Sequence, residues 1–234
     1  MTDEASPRPR RPAPLRVLLA LAVCAVEAAL IAWAMGGVAR LLAHRPALAL
    51  IACWAVAAII LALGAPVRRR EVVTRTPEGR LGLLALGLIP VAVAPISAYG
   101  ERIALWPLPG GAALGWAGVA LAALGLGLRV LSMRVLGARF TPTLGVQAEH
   151  SLETAGLYAR IRHPGYLGTI AASLGAVLTF RSGLGLLPLA LLLLLLAARV
   201  RREEHMLAEH FGDRWREYRA RSGAFWPRFG GERR

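Results

Sequence analysis

Two short polar clusters carry the chemistry this chain can do: Arg162-His163-Pro164-Gly165-Tyr166 and Glu203-Glu204, the latter one turn after Arg199. A proline opening a helix leaves backbone N–H groups and a positive dipole end facing outward, which suits an anion such as a carboxylate or phosphate. His163 and Tyr166 add hydrogen-bond donors, and the Tyr166 ring offers a face to a cationic ligand. A carboxylate at Glu203 or Glu204 suits a cation, an amino group or a ribose diol. Their alternative is a solvated helix face paired with Arg199, Arg201 or Arg202. The guanidinium of Arg199 fits a substrate carboxylate or phosphate as a bidentate pair, or an internal ion pair with either glutamate.

The elements that position these clusters are apolar. Between them lies a hydrophobic hairpin, so an antiparallel fold brings both to one membrane face, where polar side chains in an apolar chain mark a site. The 234 residues are 56% hydrophobic, with a mean hydropathy of +0.52. Apolar stretches cover 17–39, 47–66, 81–98, 112–131, 166–180 and 183–198. The first four reach the about 20 residues a membrane span requires. The last two are shorter, joined at Arg181-Ser182-Gly183, and read as two short spans or one hairpin dipping partway. The expected fold is therefore an all-α integral membrane protein of about six transmembrane segments with a C-terminal amphipathic helix.

The net charge of +14 comes from 28 basic residues, all arginine. Their placement excludes nucleic acid as the natural partner. Arg8, Arg10, Arg11 and Arg16 precede the first stretch, Arg68, Arg69, Arg70, Arg75 and Arg80 lie between the second and third, and Arg129, Arg134, Arg139, Arg160 and Arg162 flank the long connection after the fourth. The alternate loops hold only Arg40 and Arg45, then Arg102, then Arg181. This alternation is the positive-inside pattern and predicts both termini in the cytoplasm, with the lipid bilayer, anionic lipid above all, as partner of the basic face. The absence of Lys and Asn matches GC-rich coding and a bacterial inner (cell) membrane. The basic N-terminus and following apolar run resemble a signal peptide, but the run is long enough to span and reads as an uncleaved first helix.

Three regions follow. Residues 1–14 are rich in Pro and Arg and predicted disordered. Residues 15–131 hold the N-terminal transmembrane helices, and residues 132–234 the catalytic core. Within the core, Phe140-Thr141-Pro142-Thr143 reads as extended, Gly156 as a turn and Pro164 as a helix start. The tail from Val200 to Arg221 repeats Leu207, Phe211, Trp215 and Tyr218 at helical spacing, with Gly212 able to interrupt it. It predicts a helix on the inner leaflet, a lid over the site, or both. Gly125-Leu126-Gly127 lacks a phosphate-loop context and reads as close helix packing. Cys24 and Cys53 lack metal or redox spacing and read as small buried hydrophobes. His205, Glu209 and His210 lack the spacing of a zinc helix, so no metal is expected.

Over Phe140 to Pro227 the chain resembles the isoprenylcysteine carboxyl methyltransferase family, with which the related phospholipid methyltransferases share much of their core. The resemblance rests, in order, on Phe140-Thr141, Gln147, His150 to Glu153, Gly156-x-Tyr158, Arg162 to Gly168, Arg199, Glu203-Glu204, Phe211-Gly212, Tyr218 and Pro227. Glu153 stands where that family has a small apolar residue, and Leu157 where it often has proline. Residues 1–130 match only as generic spans.

The resemblance implies an integral membrane methyltransferase using S-adenosyl-L-methionine, without the glycine-rich nucleotide fold of soluble methyltransferases. By similarity the cofactor is held by Gln147, His150, Ser151, Leu152, Glu153, Tyr158, His163, Pro164, Gly165, Tyr166 and Glu203. Arg199 faces the acceptor, and Arg199, Glu203 and Glu204 are the catalytic candidates. The acceptor is lipid-like or a small hydrophobic molecule, methylated at a carboxylate, which is ionised at neutral pH and needs no base. Phospholipid N-methylation and thiol S-methylation are the alternatives, and those need proton removal, for which His163 or Glu204 is available. A sterol-reductase-like protein using NADPH is a further alternative, because it shares the His-Pro-x-Tyr element. A non-catalytic scaffold is the last. Neither acceptor identity nor oligomeric state is legible from the sequence.

Overall fold

A computed structural model describes residues 13–64, 72–75, 80–137, 145–147 and 152–228. The first apolar run winds into α1 (Ala13–Met35), and a glycine pair, Gly36-Gly37, with φ of 88° and 130°, turns the chain. That backbone region is open to glycine and closed to most side chains. A single-turn helix α2 (Val38–Ala43) leads to α3 (Arg45–Leu63), whose first turn is capped by Nδ1 of His44 accepting from the Ala47 N–H at 3.1 Å. Strand β1 (Val72–Arg75) follows, then α4 (Arg80–Arg102) and α5 (Gly111–Leu136). Strand β2 (Gly145–Gln147) pairs antiparallel with β1, Val72 opposite Gln147 and Arg75 opposite Gly145. The chain closes with α6 (Pro164–Thr179), α7 (Leu186–Phe211) and α8 (Asp213–Arg221).

Five of these helices are long and apolar enough to cross a membrane, and α6, at 16 residues, is the shorter sixth. Large apolar side chains cover the outside, among them Leu18, Trp33, Leu84, Leu124 and Leu194. In water that surface would be unstable; against lipid it is the expected one. The protein is thus an all-α integral membrane fold with a small two-stranded ribbon at one end.

The tightest contact is between α5 and α6. A Cβ at Gly125 would lie 2.6 Å from the Gly168 carbonyl oxygen, and one at Gly175 would lie 2.6 Å from that of Gly118. Glycines at seven-residue spacing on both helices, Gly118 and Gly125 against Gly168 and Gly175, let the backbones touch, which is how helices gain packing energy where no hydrophobic drive separates them from lipid. Gly125 therefore serves the packing expected of it, whereas Gly127 faces open space. At the end of the bundle away from α6's N-terminus, Glu101 of α4 binds Arg181 at 2.7 Å and His44 at 3.2 Å, tying the α6–α7 turn to the α2–α3 turn.

The tail from Val200 to Arg221 is helical as expected, and it is continuous with the hairpin. Helix α7 runs unbroken from the apolar hairpin through Val200 to Phe211. The break falls at Gly212, φ 52°, and α8 follows. Gly156 likewise has φ 54° and opens a single 3-10 turn, Gly156–Ala159. The expected extended run 140–143 lies outside the described residues.

Candidate functional site

Pro164 starts α6, with His163 as its N-cap residue. Proline fits this position because its missing N–H has no partner there to lose. Tyr166, one turn in, projects toward α7. Its hydroxyl receives a hydrogen bond from Nε of Arg199 at 2.7 Å and donates one to Oε2 of Glu203 at 2.9 Å. Arg199 and Glu203 are four residues apart on α7 and share a face, so one phenol bridges both. The Arg199 guanidinium also lies 5.9 Å from the centre of the Tyr166 ring. Arg199 is 8% exposed. His163, 5% exposed, stacks on Tyr166 with ring centres 5.6 Å apart.

Glu204 faces a different way from Glu203. It accepts from Nε of Arg162 at 2.8 Å, lies 3.3 Å from Nε2 of His163 and 3.6 Å from Nε of Arg219. Arg162 continues from there into the chain after α8: its Nη1 donates to the Ser222 carbonyl, to Ser222 Oγ at 3.3 Å and to the Arg219 carbonyl at 3.3 Å. Backbone pairing completes the junction. The N–H groups of Arg162 and His163 donate to the carbonyls of Gly223 and Ala224 at 2.8 and 3.0 Å, and that of Gly223 donates to Arg160 at 3.0 Å. The segment before α6 and the segment after α8 are therefore stitched together by main chain and side chain alike.

This stitching places α8 across the end of the site. Trp215 and Tyr218 are buried with Leu207, and Leu152 and Phe211 pack against them. The Tyr218 hydroxyl donates to the Tyr158 carbonyl at 2.7 Å, and the Tyr158 hydroxyl donates to the Ser132 carbonyl at 3.3 Å. Burial pushes the Tyr218 phenol up to about 12 and raises that of Tyr158 as well, so both remain neutral donors. Of the two readings of the tail, leaflet helix and lid, this geometry supports the lid.

Beneath the lid is a cavity of about 770 Å3, in the upper part of the roughly 300–1,000 Å3 typical of small-molecule sites. Leu152, Glu153, Tyr158, Arg162 and the run His163 to Tyr166 line it, with Arg199 and Glu203 opposite. Glu204 is not among its lining residues. Gln147 is paired on its backbone with Val72 in the ribbon, while His150 and Ser151 lie outside the described residues.

Sequence reasoning missed three contributors. Arg129, counted above only as a topological charge, lines the cavity and donates from Nη1 to Thr169 Oγ1 at 2.6 Å. Trp215 was assigned to an apolar face, not to a site. Glu27 of α1 lines the cavity's inner part with Cys24, which was expected only to fill core. A lone carboxyl in the middle of an apolar run was the available signal for Glu27.

Comparison with known proteins gives four matches. A family model described as phospholipid methyltransferase matches residues 114–214. The chain is 31% identical over 107 residues to protein-S-isoprenylcysteine O-methyltransferase B of Arabidopsis thaliana, covering 44% of this chain and 54% of that protein. It is 29% identical over 106 residues to a probable protein-S-isoprenylcysteine O-methyltransferase of Oryza sativa subsp. indica, covering 44% and 56%. The chain thus spans about half the length of the curated relatives it matches. A solved structure of a eukaryotic intramembrane Ras methyltransferase, isoprenylcysteine carboxyl methyltransferase, superposes with a TM-score of 0.49 at 17% identity, over 93% of this chain and 87% of that one. The residues matched by the family model include Tyr158, the run Arg162 to Tyr166, Arg199, Glu203 and Glu204, and over part of its length this chain resembles the isoprenylcysteine carboxyl methyltransferases and the related phospholipid methyltransferases.

Proposed function

We propose that this protein is an S-adenosyl-L-methionine-dependent methyltransferase of the membrane, acting on the carboxylate of an amphiphilic acceptor. One observation carries the reading: under a docked lid, a single cavity joins a polar wall of Tyr158, His163, Tyr166, Arg199 and Glu203 to an apolar interior between helices. A cofactor that is cationic at sulfur, carries an amino-acid carboxylate and ends in a nucleoside needs this mixture of donors, carboxylate and aromatic face. Tyr158, the His163–Tyr166 run, Leu152, Glu153 and Glu203 would hold it, with Gln147, His150 and Ser151 as further contacts implied by the resemblance.

Bound there, S-adenosyl-L-methionine supplies an already activated methyl group for a single in-line displacement. The work left to the chain is alignment and exclusion of water. Arg199 binds the acceptor's carboxylate, with its guanidinium plane fixed by the bond from Nε to Tyr166. Glu203 is held by the same phenol and faces the cofactor's positive or hydroxyl-bearing part. Glu204 acts as a positioning residue, holding His163 and Arg162 in place. Helix α8 keeps water out, since a dry site favours the meeting of an anionic nucleophile with a cationic donor. Residues 132–234 form the catalytic core in this reading, with the last turns of α5 built into it through Arg129 and Ser132.

A phospholipid amine as acceptor is favoured by one finding, the matching family model, and it would engage Arg199 through its phosphate. The deciding experiment is ligand-induced thermal stabilisation of the detergent-purified protein. S-adenosylhomocysteine stabilises it and NADP does not; the reverse result, or stabilisation by neither, removes the reading. Methyl transfer from labelled cofactor to prenylated or acyl carboxylates against aminophospholipids then chooses the acceptor.

The distribution of arginine supports both termini in the cytoplasm of a bacterial cell. Single cysteines at positions 75 and 102 should label from opposite sides of the membrane, and labelling from the same side contradicts this topology.

A further inference from the structure

The cavity has a second polar feature, far from the lid. Glu27 stands 14 residues into α1, near mid-helix, and is 7% exposed. Its Oε1 is fully buried and has no hydrogen-bond partner among the described residues. The side chain belongs to the cavity wall, in company with Val23 and Cys24 of its own helix, Trp54 and Ala57 of α3, and Leu86 and Pro90 of α4. A buried carboxyl oxygen left unmatched at this depth is costly in hydrocarbon, and such a cost persists where it serves binding.

Pro90 lies on the same side of the cavity. Having no N–H, it cannot supply the i→i−4 bond to the carbonyl of Leu86, which also lines the cavity. The inner lobe is thus apolar in outline but offers an oxygen acceptor, a carboxyl oxygen in either protonation state.

We infer that Glu27 is a specificity-determining residue that binds a hydrogen-bond donor, a hydroxyl or amine, carried on the membrane-embedded tail of the ligand. The head anion sits at Arg199 and the tail extends toward α1, α3 and α4. A plain hydrocarbon tail fills the same space and leaves Oε1 unmatched, so the pocket discriminates against it. This deepens the proposed function by naming the acceptor's class, a carboxylate amphiphile with a polar group partway along its chain, and it rests on that reading for the orientation of the head.

The test is direct binding, read by calorimetry in detergent, so that it does not depend on turnover. The probes are palmitate and a positional series of mono-hydroxylated and mono-aminated palmitates. Wild-type protein should bind at least one substituted isomer about five- to ten-fold more tightly than palmitate, the worth of one hydrogen bond. Glu27→Leu should abolish that preference while retaining palmitate binding. Glu27→Gln, which keeps a carbonyl acceptor, should retain the preference for the hydroxylated isomer and weaken that for the aminated one. No preference in the wild type, or a preference unchanged in Glu27→Leu, overturns the proposal. S-adenosylhomocysteine titrated into the same samples reports separately on the methyl-transfer reading: its failure to bind sinks that reading and leaves the Glu27 result standing.

Discussion

Nε of Arg199 donates to the hydroxyl of Tyr166 at 2.7 Å, and that hydroxyl in turn donates to Glu203 at 2.9 Å. Tyr166 thereby fixes the plane of the guanidinium at the cavity wall. Arg199→Lys keeps the charge and loses the fork. Its kcat should fall at least ten-fold, with S-adenosylhomocysteine affinity changed by less than three-fold. Normal turnover in this variant, or a preference for uncharged acceptors, contradicts the assignment of Arg199 to the acceptor's carboxylate.

His163 stacks on Tyr166 and Glu203 accepts from its hydroxyl, and both are proposed cofactor contacts. His163→Ala and Glu203→Ala should each weaken S-adenosylhomocysteine binding by about 1.5–3 kcal/mol, the cost of one charge-assisted hydrogen bond. Titration of both variants checks this, with circular dichroism as control for the helical fold. Wild-type affinity in both places the cofactor elsewhere.

Arg162 lines the cavity, but its bonds run to Glu204 of α7 and to the lid. Its removal leaves Glu204, whose side chain is 15% exposed, with His163 and Arg219 alone. Arg162→Ala should therefore release the segment after α8 and destabilise the protein by about 3 kcal/mol, the scale for breaking a buried ion pair on one side. Tryptophan emission should move to the red as Trp215 meets water, and trypsin should cut faster at Arg219 and Arg221. An unchanged cleavage rate would show that backbone pairing at Gly223 holds the lid unaided.

The lid should also respond to alkali. Tyr218 is raised from 10.0 to about 12 by burial in the docked state, and docked it is the donor to Tyr158. A group raised on folding stabilises fully below its undocked value and loses that contribution as pH climbs through its folded one. The contribution of Tyr218 to docking should thus be constant to about pH 9, fall between about 10 and 12, and be lost above. Tryptic release of the C-terminal segment against pH reads this directly. Tyr218→Phe should start from a weaker lid and show a flatter profile; an identical profile means another group sets it.

The parts of this architecture legible in sequence are the local ones. Pro164 announced the start of α6, Gly212 the break before α8, and Leu207, Trp215 and Tyr218 a buried face. The bond from Tyr166 to Glu203 was approachable, because an apolar hairpin of known length returns the second cluster to the first. What was not legible depends on contacts between distant, unpatterned segments. The pairing of Arg162 with Gly223 joins residues that share no periodicity, and it gave Arg162 and Glu204 a task that spacing alone could not distinguish from ligand binding. Glu27 was hidden for the opposite reason: inside a strong apolar period, one carboxyl does not alter the helix reading, and only the packing of α3 and α4 around it shows that it faces inward.

The glycine contact between α5 and α6 has an architectural consequence. With backbone against backbone at Gly118, Gly125, Gly168 and Gly175, these four positions put no side chain between the helices to yield, so the pair acts as a keel. That keel carries Arg129 and Tyr166, and with them the geometry of the reacting end. The facing hull of α1, α3 and α4 meets the cavity through ordinary side chains, Leu86 and Trp54 among them, which repack at small cost. Mutation can therefore reshape which tails are admitted on one side of the molecule while the chemistry on the other stays in register.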